Sequence, residues 1–247
     1  MSLAAPIIAA LIGLVALQDA VPDSWELTER PGIAMASVRY AGGQALAIRC
    51  AGGQVETFLA GAEAPAEPGR LELSFDDEAF QPQSWLSLQV GGVIHSMDPL
   101  LTARRLAASR RVSIRVPASD GRSLRYDLDL PQSADAITTV LERCGAPTED
   151  PRDALPHVFL TEGWDRLPQP IYPDRAIRDH MSGIVGLNCV TGTGGRVEDC
   201  RTDMVAPGGY GFEASAERAT RDARLPVDAT TAPGRVVTFV IRFNLPR

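Results

Sequence analysis

The sequence predicts an α+β protein in two parts: a β-rich amino-terminal domain of sandwich or half-barrel type closed by a helix, and a small strand–strand–helix–strand unit at the carboxy-terminus. Three observations lead there. Short alternating apolar segments recur between glycine turns over the first half of the chain. A longer alternation near residue 187 meets the Gly194-Gly195 pair, a hairpin signal. Helical spacing of apolar residues, at Ile137, Val140, Leu141 and Cys144, closes that strand-rich stretch.

Size and charge are consistent with this. A chain of 247 residues can bury two cores, and 45% apolar with 22% charged residues is ordinary for a globular protein. The net charge of −7 and the lack of any basic block argue against a nucleic-acid surface.

Residues 3–17, LAAPIIAALIGLVAL, form an uncharged apolar run. A spanning helix needs about 20 such residues, and Pro6 weakens a helix further. The run therefore reads as a signal peptide over residues 1–20, with an uncleaved inner-membrane anchor as the alternative. No stable membrane span is expected, and the expected compartment is the periplasm.

Residues 21–146 read as the β-rich domain. Its strand candidates are 34–40, 45–50, 55–60, 71–75, 85–90, 111–116 and 124–130, separated by turn signals such as Gly52-Gly53 and Asp120-Gly121. A short helix is expected over 99–108, with Asp98 as N-cap. A second helix follows Ser133, because Ile137, Val140, Leu141 and Cys144 recur at i, i+3, i+4 and i+7. The early strand ending in Cys50 and the final helix ending in Cys144 give this part a loose resemblance to small exported β-domains of the invasion-associated locus B type. Residues 147–168, rich in proline and acids, read as a linker with some order near 157–160 and Trp164.

The last part, 169–247, is organised around the hairpin. Val185, Leu187 and Cys189 alternate along its first strand. A two-residue loop at Gly194-Gly195 sets Thr193 opposite Arg196 and Cys189 opposite Cys200. Opposed residues lie roughly 4.5–5.5 Å apart at Cα, within disulfide reach. A longer loop would break that register. Four cysteines allow three pairings; the hairpin favours Cys189–Cys200 and leaves Cys50–Cys144 by elimination. Two bridges fit an oxidising compartment.

Residues that could carry chemistry are sparse. His95, His157 and His180 are scattered, no cysteine pair has C-x-x-C spacing, and neither a metal nor a cofactor site is expected. His95 and Ser96 are strand neighbours that point to opposite faces, so they form no dyad. No nucleophile elbow, H-E-x-x-H or P-loop occurs. A non-enzymatic protein is the expectation; the alternative is a secreted hydrolase whose site forms between the domains from His95, Asp98 or Glu162.

One resemblance covers roughly the last third of the chain. Tyr172-Pro173, Ala176, Gly183, Val185, Leu187 and the turn Gly195-Arg196-Val197 resemble the TonB carboxy-terminal domain family, with its Tyr-Pro box, G-x-V-x-V strand and D-G-R-V-type turn. The order continues with a helix from Phe212 to about Ala223, Arg224-Leu225-Pro226, and a closing strand from Val236 to Phe243. Ala206-Pro207-Gly208, Phe212-Glu213 and Gly194 depart from the family pattern. The resemblance implies a ββαβ unit with an open edge at the last strand, where an extended segment of an envelope protein or outer-membrane transporter adds as a strand. The backbone positions for this are Val236, Thr238, Val240 and Arg242. The competing expectation is that the edge is covered, by the amino-terminal domain or by a second copy. A folded domain in place of a Pro-rich spacer points to an adaptor or binding protein rather than a force transmitter.

Overall fold

Alternation along the first strands builds the amino-terminal core. The computed structural model describes residues 24–63, 70–87, 92–117, 122–160, 163–228 and 231–245; residues 1–20, read as a signal peptide, lie outside them. Strands β1 (Glu26–Arg30), β2 (Ile33–Arg39), β3 (Ala45–Ala51) and β4 (Gln54–Ala60) pair as an antiparallel meander. They are joined in one six-stranded sheet by β8 (Val93–Ser96) and β7 (Trp85–Ser87). A four-stranded sheet runs in the order β10 (Ser123–Asp129), β9 (Arg111–Pro117), β5 (Leu71–Phe75) and β6 (Gln81–Gln83).

The two sheets share one apolar cluster. Ala36, Ile48 and Leu59 meet Leu73, Val112 and Ile114, and helix α1 (Pro99–Ala108) adds Ala103 and Leu106. Helix α2 (Asp135–Arg143) lays Ile137, Val140 and Leu141 on the same core, as its spacing predicts. Ser133 accepts the Asp135 N–H at 3.3 Å, although Ala134 holds the cap position. Two strands were missing from the expectation, β1 and β6, and β8 was foreseen only as the strand that holds His95 and Ser96. β6 is three residues containing a proline, too short for a periodicity signal.

A second core lies in the carboxy-terminal sheet, ordered β11 (His157–Phe159), β14 (Val236–Phe243), β12 (Gly183–Thr191) and β13 (Val197–Ala206). Val185, Leu187 and Cys189 of β12 and Val237, Phe239 and Ile241 of β14 face Phe212 and Ala216 of helix α4 (Phe212–Thr220) and Ala176 of the short helix α3 (Asp174–Arg178). The intervening residues face the other way. Ile184, Met204 and Val240 pack on Leu86 and Met97 of the amino-terminal part. At Gly186 a Cβ would lie 3.0 Å from the Met97 carbonyl oxygen, so glycine permits this approach. The period of two therefore serves both contacts of the sheet.

Three expectations are corrected. The hairpin loop is longer than two residues: Thr191 pairs with Val197, and a 3₁₀ turn over Thr193–Gly195 fills the gap. The register is then shifted between Asn188 and Val190, so that Asn188 pairs with Arg201. Asp199, with φ +45°, sits opposite this irregularity and takes up the extra residue as a bulge does. The bulge keeps Cys189 and Cys200 close despite the longer loop.

The second correction concerns the last strand. β14 is flanked on both sides, by β12 along its whole length and by β11 in parallel pairing at Val236–Thr238. The third concerns 147–168. The order expected near 157–160 is strand β11, but a 3₁₀ turn over Pro151–Ala154 precedes it, so the stretch belongs to the folded body rather than acting as a linker.

Candidate functional site

The predicted strand-adding positions divide in two. The Val236 N–H donates to Pro156 O at 2.9 Å, and Thr238 O accepts from the Leu160 N–H at 3.2 Å. These backbone groups therefore point away from β12, and by alternation those of Val240 and Arg242 point the same way. Past Thr238, no described residue bonds to that edge. The open edge is thus short. The side chains of Val236, Thr238 and Val240 are turned inward or against the amino-terminal part, whereas Arg242 is exposed.

The residues carrying the sequence resemblance have structural work. Tyr172 Oη donates to Met181 O at 2.7 Å, and its ring stands edge-on to Phe212 and Phe243. Pro173 opens α3. A side chain at Gly183 would strike the Phe212 ring, and one at Gly195 the Leu225 backbone. Arg196 bridges Arg224 through its backbone and pairs with Glu198 at 3.7 Å. Cys50–Cys144 and Cys189–Cys200 are disulfides, with Cα separations of 5.5 and 4.0 Å.

A polar junction that the sequence did not reveal ties the carboxy-terminal sheet to α1. Asp98, 7% exposed, stands at the α1 cap position, but its carboxylate caps nothing. It accepts instead from Asn188 Nδ2 at 3.1 Å and Thr238 Oγ1 at 3.3 Å. Asn188 Oδ1 in turn accepts from the buried Arg152, which also donates to Asp199 O at 3.2 Å. Arg104 grips Asp153 with two hydrogen bonds, 2.5 and 2.7 Å.

The charges here are shaped by burial. Desolvation pushes Asp98 above the usual carboxylate range, with His157, Asn188 and Thr238 acting against it. Desolvation holds His157 below the usual imidazole range, with Asp98 opposing. Asp203 on β13 is pushed well above its ordinary value by burial and by the Asp98 charge. Its Oδ2 is shut off from solvent without a hydrogen-bond partner among the described residues.

Beside this junction a cleft of about 460 Å³ opens between β6, α1 and β11, lined by Ser84, Asp98, His157, Arg235 and Thr238 among others. Of the residues proposed for an interdomain hydrolase, Asp98 lines this cleft. His95 lines a different hollow, its ring 5.7 Å from Phe58, and Glu162 lies outside the described residues. His157 is the imidazole whose charge acts on Asp98. It could not be picked out from the sequence because the two residues approach only through the pairing of β11 with β14.

Among the described residues no group of His, Cys, Asp and Glu is placed to hold a metal ion, and no helix is long and apolar enough to cross a membrane. No family model matches the chain, and no curated protein matches it. Among solved structures, the chain is similar to the Pseudomonas aeruginosa TonB CTD solved by solution NMR, at 18% identity over 36% of this chain and 95% of that one, with a TM-score of 0.31.

Proposed function

We propose that this is an exported, non-enzymatic binding or adaptor protein of the Gram-negative cell envelope that takes an extended partner segment along the open half of β14. One observation carries the reading: the backbone groups of Val240 and Arg242 face outward beyond the end of β11, unpartnered by any described residue. An incoming strand continuing the line of β11 would satisfy them. The two disulfides suit an oxidising compartment such as the periplasm. The partner class is an envelope protein or a segment of an outer-membrane transporter, the class implied by the Tyr172-Pro173 resemblance.

The test is photo-crosslinking in the envelope with the full chain, the reactive residue replacing exposed Asn244. A discrete adduct should form and should be lost in Arg242→Pro, which removes an outward N–H while leaving the bonds to β12. An adduct unchanged by that substitution, or no adduct, would reject edge capture.

A further inference from the structure

The two neighbours of β14 hold it very unequally. β12 pairs with all eight of its residues in antiparallel register. β11 pairs with three, in parallel, the slightly weaker ladder per residue. That register sets the backbone N–H and C=O of Val158 against Val236 and Thr238. The Pro156 carbonyl and the Leu160 N–H complete the set.

Packing follows the same division. Val185, Leu187 and Cys189 of β12 are wholly buried, whereas Val158 and Leu160 are only half-buried against that core. His157 adds a cost, because its Nε2 is closed to solvent without a hydrogen-bond partner among the described residues. An unmet buried polar atom opposes the arrangement that buries it. Lifting β11 off the edge would return this atom to water.

The flanks of β11 are held better than its middle. Before it, Arg104 grips Asp153, and Arg201 pairs with Asp150 at 2.7 Å. After it, the Trp164 ring stands edge-on to Phe239, 4.9 Å between centroids. Arg166 and Arg224 exchange two backbone hydrogen bonds, 3.0 and 2.9 Å. Three residues between such anchors can leave their neighbour while the connector stays in place.

We infer that β11 is a displaceable strap: a partner segment seated at Val240 and Arg242 extends toward Val236 by replacing it. The inference rests on the edge capture proposed above and adds its regulation. The strap sets how readily the edge is taken, since the partner gains the backbone groups of Val236 and Thr238 only as β11 gives them up.

The experiment is hydrogen exchange by NMR on the full chain, comparing adjacent amides of one strand. The N–H groups of Val236 and Thr238 face β11, and those of Val237 and Phe239 face β12. The first pair should exchange about a hundredfold faster than the second, the mark of local opening. Val158→Pro, which removes one strap hydrogen bond, should speed the first pair by about tenfold more and leave the second unchanged. The unchanged pair separates strap release from a folding defect. Val158→Gly, which keeps the N–H and gives up the packing, should act in the same direction more weakly. Both variants should raise the yield of the envelope adduct formed from position 244 several-fold. Equal protection of the two pairs, or a yield unmoved in both variants, overturns the strap and leaves edge capture standing. Absence of an adduct in the parent and in both variants rejects edge capture, and the strap falls with it.

Discussion

Asn188 Nδ2 donates to Asp98 Oδ2 at 3.1 Å, joining residues 90 positions apart and fastening the carboxy-terminal sheet to the start of α1. Asn188 also receives Arg152, so its amide satisfies a buried acid on one side and a buried cation on the other. Asn188→Ala should therefore cost about 2 kcal/mol, the penalty of leaving buried polar partners unmet. In a double-mutant cycle with Asp98→Ala the coupling should reach about 1 kcal/mol. Urea unfolding of the four proteins measures it. Strict additivity would mean that the contact contributes nothing to holding the sheet on α1.

Asp203 makes a prediction about pH. Its carboxyl is raised well above the ordinary 3.8 by burial and by the Asp98 charge, so the folded state binds its proton more tightly than the unfolded chain does. Stability from this group is full below the unfolded value and is lost as pH rises toward the folded one. Asp203→Asn should consequently raise the urea midpoint near neutral pH and leave it little changed near pH 3. Asp98 has a raised value too, so some of the fall should survive the substitution. A midpoint lowered at neutral pH would show that the ionised carboxylate is stabilised by Arg152, Arg104 and Arg201 after all.

What could be read in advance follows the range of the forces involved. The run Leu71–Phe75 and the apolar face of α2 are local patterns, and the structure places them where alternation and helical spacing put them. The hairpin was read one step too simply, because a bulge at Asp199 is an unpatterned residue in a strand and leaves no periodic trace. β11 was visible only as some order near 157–160, for another reason. Three residues in a proline-rich stretch become a strand only because Val236–Thr238, nearly eighty residues later, supplies a parallel neighbour. Asp98 looked like a helix cap and holds that position, but its partners come from β12 and β14. Nothing near it in sequence announces them.

The two disulfides should differ in weight. Cys50–Cys144 spans 94 residues and Cys189–Cys200 spans 11. On the chain-entropy account the longer loop contributes about 5 kcal/mol and the shorter about 3. Replacing Cys50 and Cys144 together by serine should thus lower stability more than replacing Cys189 and Cys200. Denaturant unfolding of both variants against the parent decides it. The reverse order would place the main covalent constraint in the bulged hairpin.

Gly194 and Gly195 are neighbours in one turn, and both have positive φ, +66° and +71°. Their surroundings differ. A Cβ on Gly194 would meet nothing, whereas one on Gly195 would run into the Leu225 backbone, whose N–H donates to Gly195 O at 2.7 Å. Gly194→Ala should therefore cost only the left-handed backbone term, about 1–2 kcal/mol. Gly195→Ala adds a clash with main chain that no rotamer can relieve, and should cost roughly 3 kcal/mol or more. It should also loosen the tie between the hairpin and the segment after α4, visible as faster hydrogen exchange at Leu225. Equal losses for the two variants, with Leu225 still protected, would mean that the turn can move away from that segment without penalty.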